Sequence, residues 1–452
     1  MKKFNSNKYL KKIKFKKFWQ NYSKYFYMIL SCICSGILGI YFAHSLFFVS
    51  KEKEVVKTTV GNFIHGDVII GAYLDDELVG EFPKDNSIYV ADKVVCDNNA
   101  VGVWNDLTWD LNVSHITKRT KCNVYFKTSK ITDRIIASVD KTGKCPSVNS
   151  DGTVNVTKVE STDGYVCSAP DAYGTSYYFR GNVTNNYVKF GEFYWRILRI
   201  NGDGTIRLVY DGTSAHNNNE ASSDRIIGDS KYNSNANDNA YVGYMYGKTG
   251  SSNYNDTHAN INDSTIKKFV DNWYTSNLSQ YSTYLADNIF CNDRKISTYT
   301  DGSHDSSGYG TKGTYYRWAR GPWDGSSYGN MTVSFTCPQQ NDAFTVSDTS
   351  KGNGALTYPI GLLSGDDITL AGGWNSANNG YYLYTGNKYW TASAGSCTIR
   401  ITGNRSISED GSTPNFGINS NSASVKPVIN IKADSLIAGL GLKEKPYVLS
   451  VD

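Results

Sequence analysis

The side chains in this chain best suited to chemistry are aromatics and amides gathered toward its C-terminus. Trp374, Asn375, Tyr381, Tyr382, Tyr384, Arg400 and Asn404 fall within one short stretch, with Tyr389 and Trp390 among them. Tyr and Trp give large rigid contact areas at low entropic cost, and Asn supplies adaptable hydrogen bonds. Such a set is expected to recognise a sugar or a protein surface, while Tyr389 and Trp390 are assigned to the core. Sulfur is the second resource. Of nine cysteines, seven lie beyond residue 50, namely Cys96, Cys122, Cys145, Cys167, Cys291, Cys337 and Cys397.

The classes of catalysis that leave short motifs are not represented. The His residues lie outside any H-E-x-x-H or G-x-S-x-G context, and no Walker or dinucleotide glycine pattern occurs. The acid pairs Asp75-Asp76 and Asp366-Asp367 are read as solvated loop carboxylates. Trp104-Asn105-Asp106 spells a WND triplet, yet one Asp beside an Asn falls far short of the roughly six to eight oxygens that Ca²⁺ takes. Trp104 and Trp109 are instead expected to be packing residues of a hairpin. No cofactor and no metal are expected.

Charge is segregated along the chain. The net +4 conceals nine Lys and no acid within residues 1–50, which leaves 37 basic against 42 acidic residues beyond. The body is mildly acidic, so nucleic acid is not an expected partner. Residues 25–49 carry no Asp, Glu, Lys or Arg and would extend roughly 36 Å as a helix, enough for a hydrocarbon core of about 30 Å. With the Lys cluster before it, this segment predicts a transmembrane helix, the N-terminus cytoplasmic and the C-terminus extracellular. Cleavage of a signal peptide near Ala43 and Ser45 is the alternative.

Beyond a linker at 50–66, strand signals begin at Val68. Residues 67–133 form a first module, in which Cys96 and Cys122 are paired. A connector at 134–176 holds the hairpin around Ser150-Asp151-Gly152, flanked by Cys145 and Cys167 as the second pair. The clearest alternation in the chain follows. Phe193, Trp195 and Ile197 share one face, and Ile206, Leu208 and Tyr210 resume after the Asn201–Gly204 turn. Residues 211–262 are polar and aperiodic, hence a long surface excursion. Ile266, Phe269, Val270 and Trp273 then recur at helical spacing behind Ser264, and Ser364 with Asp367 spells a capping box. Cys291 and Cys337 are the third pair, and Cys397 is left as a half-buried thiol.

Tyr389-Trp390-Thr391-Ala392-Ser393 and the closing SVKPVINIK resemble the end of a C-type-lectin-like fold found in bacterial surface proteins, shared by the formylglycine-generating enzymes. In order, NDR at 292–294, NGALTYPIGL at 353–362, AGG at 371–373 and YYLYTGNKYWTAS at 381–393 resemble a domain family of low-GC Gram-positive surface proteins, over about 177–434. GAYLDDELVGEFP, WNDLTWDLNVS and TKCNVYF resemble a small recurring β-module of the same proteins. The resemblance implies an α+β chain: a transmembrane helix, a small β-sandwich-like module, then a C-type-lectin-like domain with a twisted antiparallel sheet and a few helices, closed by a tail at 435–452. It also implies a cell-surface adhesin or receptor-like protein that recognises a glycan or protein ligand. A structural spacer, or an enzyme of the formylglycine-generating kind, are the alternatives.

Overall fold

The computed structural model describes residues 68–449 apart from 84–87, 106–107, 157–158, 160–162, 298–308, 311–312, 319–332, 375, 398–401, 411, 413 and 420–422. The basic tail at 1–24, the apolar segment at 25–49 and the linker at 50–66 lie outside the described residues. Two compact units divide the chain between Thr128 and Ser129.

The first unit holds β1 (Val68–Leu74), β2 (Glu77–Val79), β3 (Tyr89–Cys96), β4 (Val101–Asn105), β5 (Asp110–Ser114) and β6 (Thr120–Thr128). Asp75 and Asp76 both take positive φ, 48° and 67°, the pairing that a two-residue turn needs to fold β2 back on β1. Strand order is β2-β1-β6-β3, with β1 and β6 parallel. The β4–β5 hairpin lends Leu111 and Val113 to a core shared with Ala72, Cys122, Val124 and Phe126. Trp104 and Trp109 meet edge to face at 5.1 Å, and the Trp109 indole donates to the Pro83 carbonyl at 2.7 Å. They are packing residues.

The second unit opens with α1 (Ile131–Ala137), whose Ile131 and Ile135 enter the main core rather than closing the first module. A ribbon of β7 (Ser147–Val148) and β8 (Val154–Asn155) follows. Next come β9 (Gly164–Pro170), β10 (Thr175–Gly181), β11 (Tyr187–Phe190), β12 (Phe193–Ile200) and β13 (Ile206–Gly212). The excursion contains β14 (Met245–Tyr246), α2 (Tyr254–Thr257) and β15 (Asn262–Asp263), and leads to α3 (Thr265–Asn277). Ser264 caps α3 by accepting from the Lys267 amide, and Ile266, Val270 and Tyr274 bury its apolar stripe. Short strands β16 (Phe290–Cys291), β17 (Thr314–Tyr315), β18 (Ala343–Phe344) and β19 (Ile360–Leu362) come before α4 (Gly365–Ala371). In α4 the Ser364–Asp367 capping box is formed in both directions.

The chain ends with β20 (Tyr389–Cys397), β21 (Thr402–Ile407), β22 (Asn415–Gly417), β23 (Pro427–Ile431), β24 (Leu436–Ala438) and β25 (Tyr447–Leu449). A nine-stranded sheet runs β19-β23-β13-β12-β11-β25-β24, with β10 also pairing β12 and β9 joining β10. A second sheet runs β17-β20-β21-β22.

Several expectations are corrected here. The fold is mostly β rather than α+β: among the described residues strand makes up 36% and helix 15%, because the Asn- and Ser-rich stretches between strands fold as loops. Among the described residues no helix is long and apolar enough to cross a membrane. In place of a sandwich-like module stands a mixed four-stranded sheet with a hairpin on one face. In place of a C-type-lectin-like antiparallel domain stands a mixed nine-stranded sheet, since β25 runs parallel to β11. That strand comes from the stretch expected to be a tail. Pro427 begins β23, which lies between β19 and β13 and is buried along its whole length.

All three disulfides are formed: Cys96–Cys122, Cys145–Cys167 and Cys291–Cys337. Each is expected to contribute about 3–4 kcal/mol by the loop-entropy estimate. Non-reducing peptide mapping should therefore return three bridged peptides. Cys397, 1% exposed in β20, should react with iodoacetamide only after denaturation.

Candidate functional site

The hairpin of β12 and β13 sets Arg196 and Asp211 on one buried face of the sheet. Two further cations converge there, Arg225 from the loop after β13 and Lys426 just before β23. Arg225 donates twice to one Asp211 oxygen, from Nε at 3.0 Å and Nη2 at 2.7 Å, and the Lys426 ammonium lies 3.4 Å from the same atom. Arg196 stands 3.8 Å from the other carboxylate oxygen. Burial is the strongest single influence on Asp211 and works to raise its pKa, but Arg225, Lys426 and Arg196 together more than reverse it. Lys426 behaves differently. Burial pushes it down to about 8, with Asp211 opposing only in part. One carboxylate meets three cations, so Lys426, whose 3.4 Å contact is longer than either from Arg225, keeps most of its desolvation cost.

This charge system holds up a groove. Arg196 lies flat on the Tyr187 ring, 3.8 Å from its centroid, and donates to Asn186 Oδ1 at 2.7 Å, Asn218 Oδ1 at 2.9 Å and the Val183 carbonyl at 2.9 Å. Arg225 reaches the other way, to the carbonyls of Glu220 at 2.6 Å and Asn217 at 3.2 Å. The two guanidinium groups thereby fix the loop carrying Asn217, Asn218 and Asn219. Facing it are Asn182 and Thr184, after β10, and Leu442, Lys443 and Glu444 in the β24–β25 turn. Together with Tyr187 these line a groove of about 390 Å³, within the size range of small-molecule sites. Asn218 donates to Asn182 Oδ1 at 2.7 Å, and Lys443 donates to Asn217 Oδ1 at 3.0 Å. Tyr187 is only 2% exposed. The groove therefore offers amide and hydroxyl groups and no open aromatic face.

Beside it lies an arrangement with triad distances. Ser214 Oγ is 3.2 Å from His216 Nε2, and His216 Nδ1 is 2.9 Å from Glu220 Oε1. A nucleophilic serine needs that Nε2 as its base. Here Asp224 Oδ1 stands closer to Nε2, at 2.7 Å. A carboxylate only accepts, so the nitrogen must donate to it and cannot take a proton from Ser214. The geometry does not make a hydrolase.

Among the described residues, the aromatic and amide set expected from the sequence is not assembled into a site. Tyr381 and Tyr382 are 0% and 1% exposed and belong to the main core, as do Tyr389 and Trp390. Asn404 is buried and donates to the Val242 carbonyl at 3.2 Å. These three placements put Tyr381, Tyr382 and Asn404 out of reach of a surface ligand. Trp374 and Tyr384 are half-buried: Trp374 bridges Ser412, and the Tyr384 hydroxyl donates to the Glu409 carbonyl at 2.9 Å. Asn375 and Arg400 lie outside the described residues. The groove residues were missed, and the run Asn217-Asn218-Asn219 inside the polar excursion was the signal that pointed to them. No protein-family model matches the chain, and no curated protein or solved structure matches it either.

Removing Arg225 would leave Asp211 under-compensated, so Arg225→Ala should lower unfolding stability by about 3–5 kcal/mol in urea titration. The pH dependence carries its own sign. A lysine whose folded value is about 8 against an ordinary value of 10.5 binds fewer protons folded than unfolded across that interval. Stability from this group should therefore rise as pH goes from about 8 toward 10.5. Between pH 7.5 and 9.5, Lys426→Met should lack the stability gain seen in the unsubstituted chain.

Proposed function

We propose that this chain is an exported binding protein whose second unit takes a polar, uncharged ligand, a glycan, in the groove between Asn182 and Lys443. The observation that carries the reading is the lining itself. Four asparagine side chains and Thr184 line one concavity; Asn217 and Asn218 are held by Lys443, Glu220, Arg196 and Asn182, so the Asn219 amide and the Thr184 hydroxyl are the groups presented to vicinal hydroxyls. Lys443 and Glu444 offset one another at the rim, which removes any reason to favour a charged guest. Three disulfides support an oxidising compartment outside the cytosol. The resemblance of residues 177–434 to domains of bacterial surface proteins points to the same side of the membrane.

A binding role fits the static arrangement better than turnover does, because the one His beside the groove is engaged by carboxylates on both nitrogens. A purely structural spacer has no use for a pre-ordered concavity, and it would show no saturable binding.

The test is a glycan array probed with the immobilised full-length chain, followed by calorimetry on any hit. Thr184→Val removes an exposed hydroxyl from the lining, and Asn219→Gly removes an amide while tolerating the φ of 65° found there. Each should weaken binding about fivefold, the equivalent of one hydrogen bond of about 1 kcal/mol, with the melting temperature unchanged. Thr184→Trp should abolish it by filling the groove. Uniform binding across all three variants, or none to any glycan, would sink the proposal.

A further inference from the structure

We infer that His216 is the positioning residue of the groove: its ring, held between Glu220 and Asp224, keeps the Asn217–Asn219 wall in place only while both ring nitrogens carry protons. The inference rests on the reading of the groove as a binding site, and names the group that sets the pH range over which the groove is formed.

The ring is 5% exposed and sits at the root of the wall. Nδ1 faces Glu220 Oε1 at 2.9 Å, and Nε2 faces Asp224 Oδ1 at 2.7 Å. Both oxygens belong to carboxylates, which accept and do not donate, so two N–H bonds are needed to make both contacts. Glu220 carries the wall directly: its other oxygen accepts from the Asn217 amide at 2.8 Å and from the Asn217 side chain at 3.3 Å. Asp224 ties down the start of the loop, accepting from the Thr213 amide at 3.0 Å and from Ser214 Oγ at 3.1 Å. The three asparagines thus lie in a loop closed by one imidazolium between two anions.

Neighbouring elements make the ring hard to replace. The backbone at Gly212 approaches so closely that a Cβ there would come within 3.1 Å of the imidazole. The Tyr187 hydroxyl of β11 donates to the His216 carbonyl at 2.7 Å. The other charged groups around this corner are Asp211 on β13, Arg196 on β12, Arg225 on the loop, and Lys443 and Glu444 on the β24–β25 turn. Of these, Lys443 favours charged Glu220, as does the hydrogen bond from His216, which is the leading reason its carboxyl is held below its ordinary value.

The sign on each side follows. A carboxylate with a lowered folded pKa contributes stability that is present above its unfolded value and is lost as pH falls through the folded one. Glu220 and Asp224 are both of this kind, so the acid limit lies below the usual carboxylate range. On the alkaline side the clamp opens when the imidazolium gives up a proton, since one nitrogen then presents a lone pair to a carboxylate. The wall is formed between those limits.

The experiment uses the full-length chain labelled with ¹⁵N at histidine. Ring nitrogen shifts report whether His216 is doubly protonated, and amide exchange by mass spectrometry reports protection at residues 217–220, corrected for intrinsic base catalysis. Wherever residues 217–220 are protected, both ring nitrogens should be protonated. Protection at 217–220 should fall at least tenfold over the same pH interval in which His216 titrates, while the β12–β13 amides stay unchanged. His216→Gln has one donor nitrogen and no charge, so its exchange at 217–220 should be fast and flat with pH. A neutral ring while 217–220 stay protected, or protection at 217–220 indifferent to the titration, would overturn the inference, as would wild-type protection in His216→Gln. If that variant does not fold, the titration of the unsubstituted chain decides alone. Failure to find a glycan would count against the proposed function and leave this measurement unaffected.

Discussion

Burial of cations on one face of the central sheet is the constraint on which the second unit is built. Register places Arg199 of β12 opposite Arg207 of β13, and Arg207 opposite Asn430 of β23. Arg196 and Lys426 share that face, and Arg180 enters from β10. Guanidinium groups do not shed their charge readily, so each must be met by acceptors or remain costly. The surrounding chain supplies them. Asp367, fixed by the capping box of α4, pairs with Arg199, and the carbonyls of Thr369 and Leu370 at the other end of the same helix accept from Arg180. Arg207 donates to the Ile289 carbonyl and lies over the face of Phe290. Burial together with the nearby Arg199 holds it down to about 9.

That demand explains why irregular segments here are well placed. A long polar loop does not normally hold one shape, because ordering each residue costs about 1–2 kcal/mol of backbone entropy. The loop after β13 is held by what the sheet needs. Arg225 is one of its residues and neutralises Asp211, and in doing so takes the Asn217 and Glu220 carbonyls. Asn218 is the acceptor that Arg196 requires. Stabilising the sheet and shaping the groove are therefore the same set of hydrogen bonds, and a mutation aimed at one is expected to disturb the other.

What the sequence disclosed is what is local. The β12–β13 hairpin, the cap of α3, the capping box of α4 and the three cysteine pairings each depend on neighbours in the chain or on order within a module, and each was readable. What it hid is non-local burial. Val425, Pro427, Ile429 and Ile431 alternate with Lys426 and Asn430 as the two faces of a strand, yet Lys426 and Asn430 are buried as well, 1% and 0% exposed. Their burial depends on Asp211, Arg225 and Asn201, which are more than 200 residues away. Tyr381 and Tyr382 looked like contact residues because composition cannot tell a paratope from an aromatic core. The parallel entry of β25 beside β11 has no signature in either segment.

The opposite wall of the groove shows how tightly the shape is set. At Gly441 φ is 72°, and a Cβ would come 2.2 Å from the Asn185 carbonyl oxygen; at Gly439 φ is 110°, with the Pro446 carbonyl oxygen 2.2 Å from the same hypothetical atom. Side chains are excluded at both points on steric grounds as well as conformational ones. The turn bearing Lys443 and Glu444 is thus pressed against β11, as the Asn217–Asn219 loop is held from the other side by guanidinium groups. A groove with both walls fixed before a ligand arrives loses little conformational freedom on binding, and weak individual hydrogen bonds to hydroxyls then count almost in full. If the groove takes a glycan as proposed, that rigidity is what would make affinity attainable at a site of amides with no exposed aromatic face.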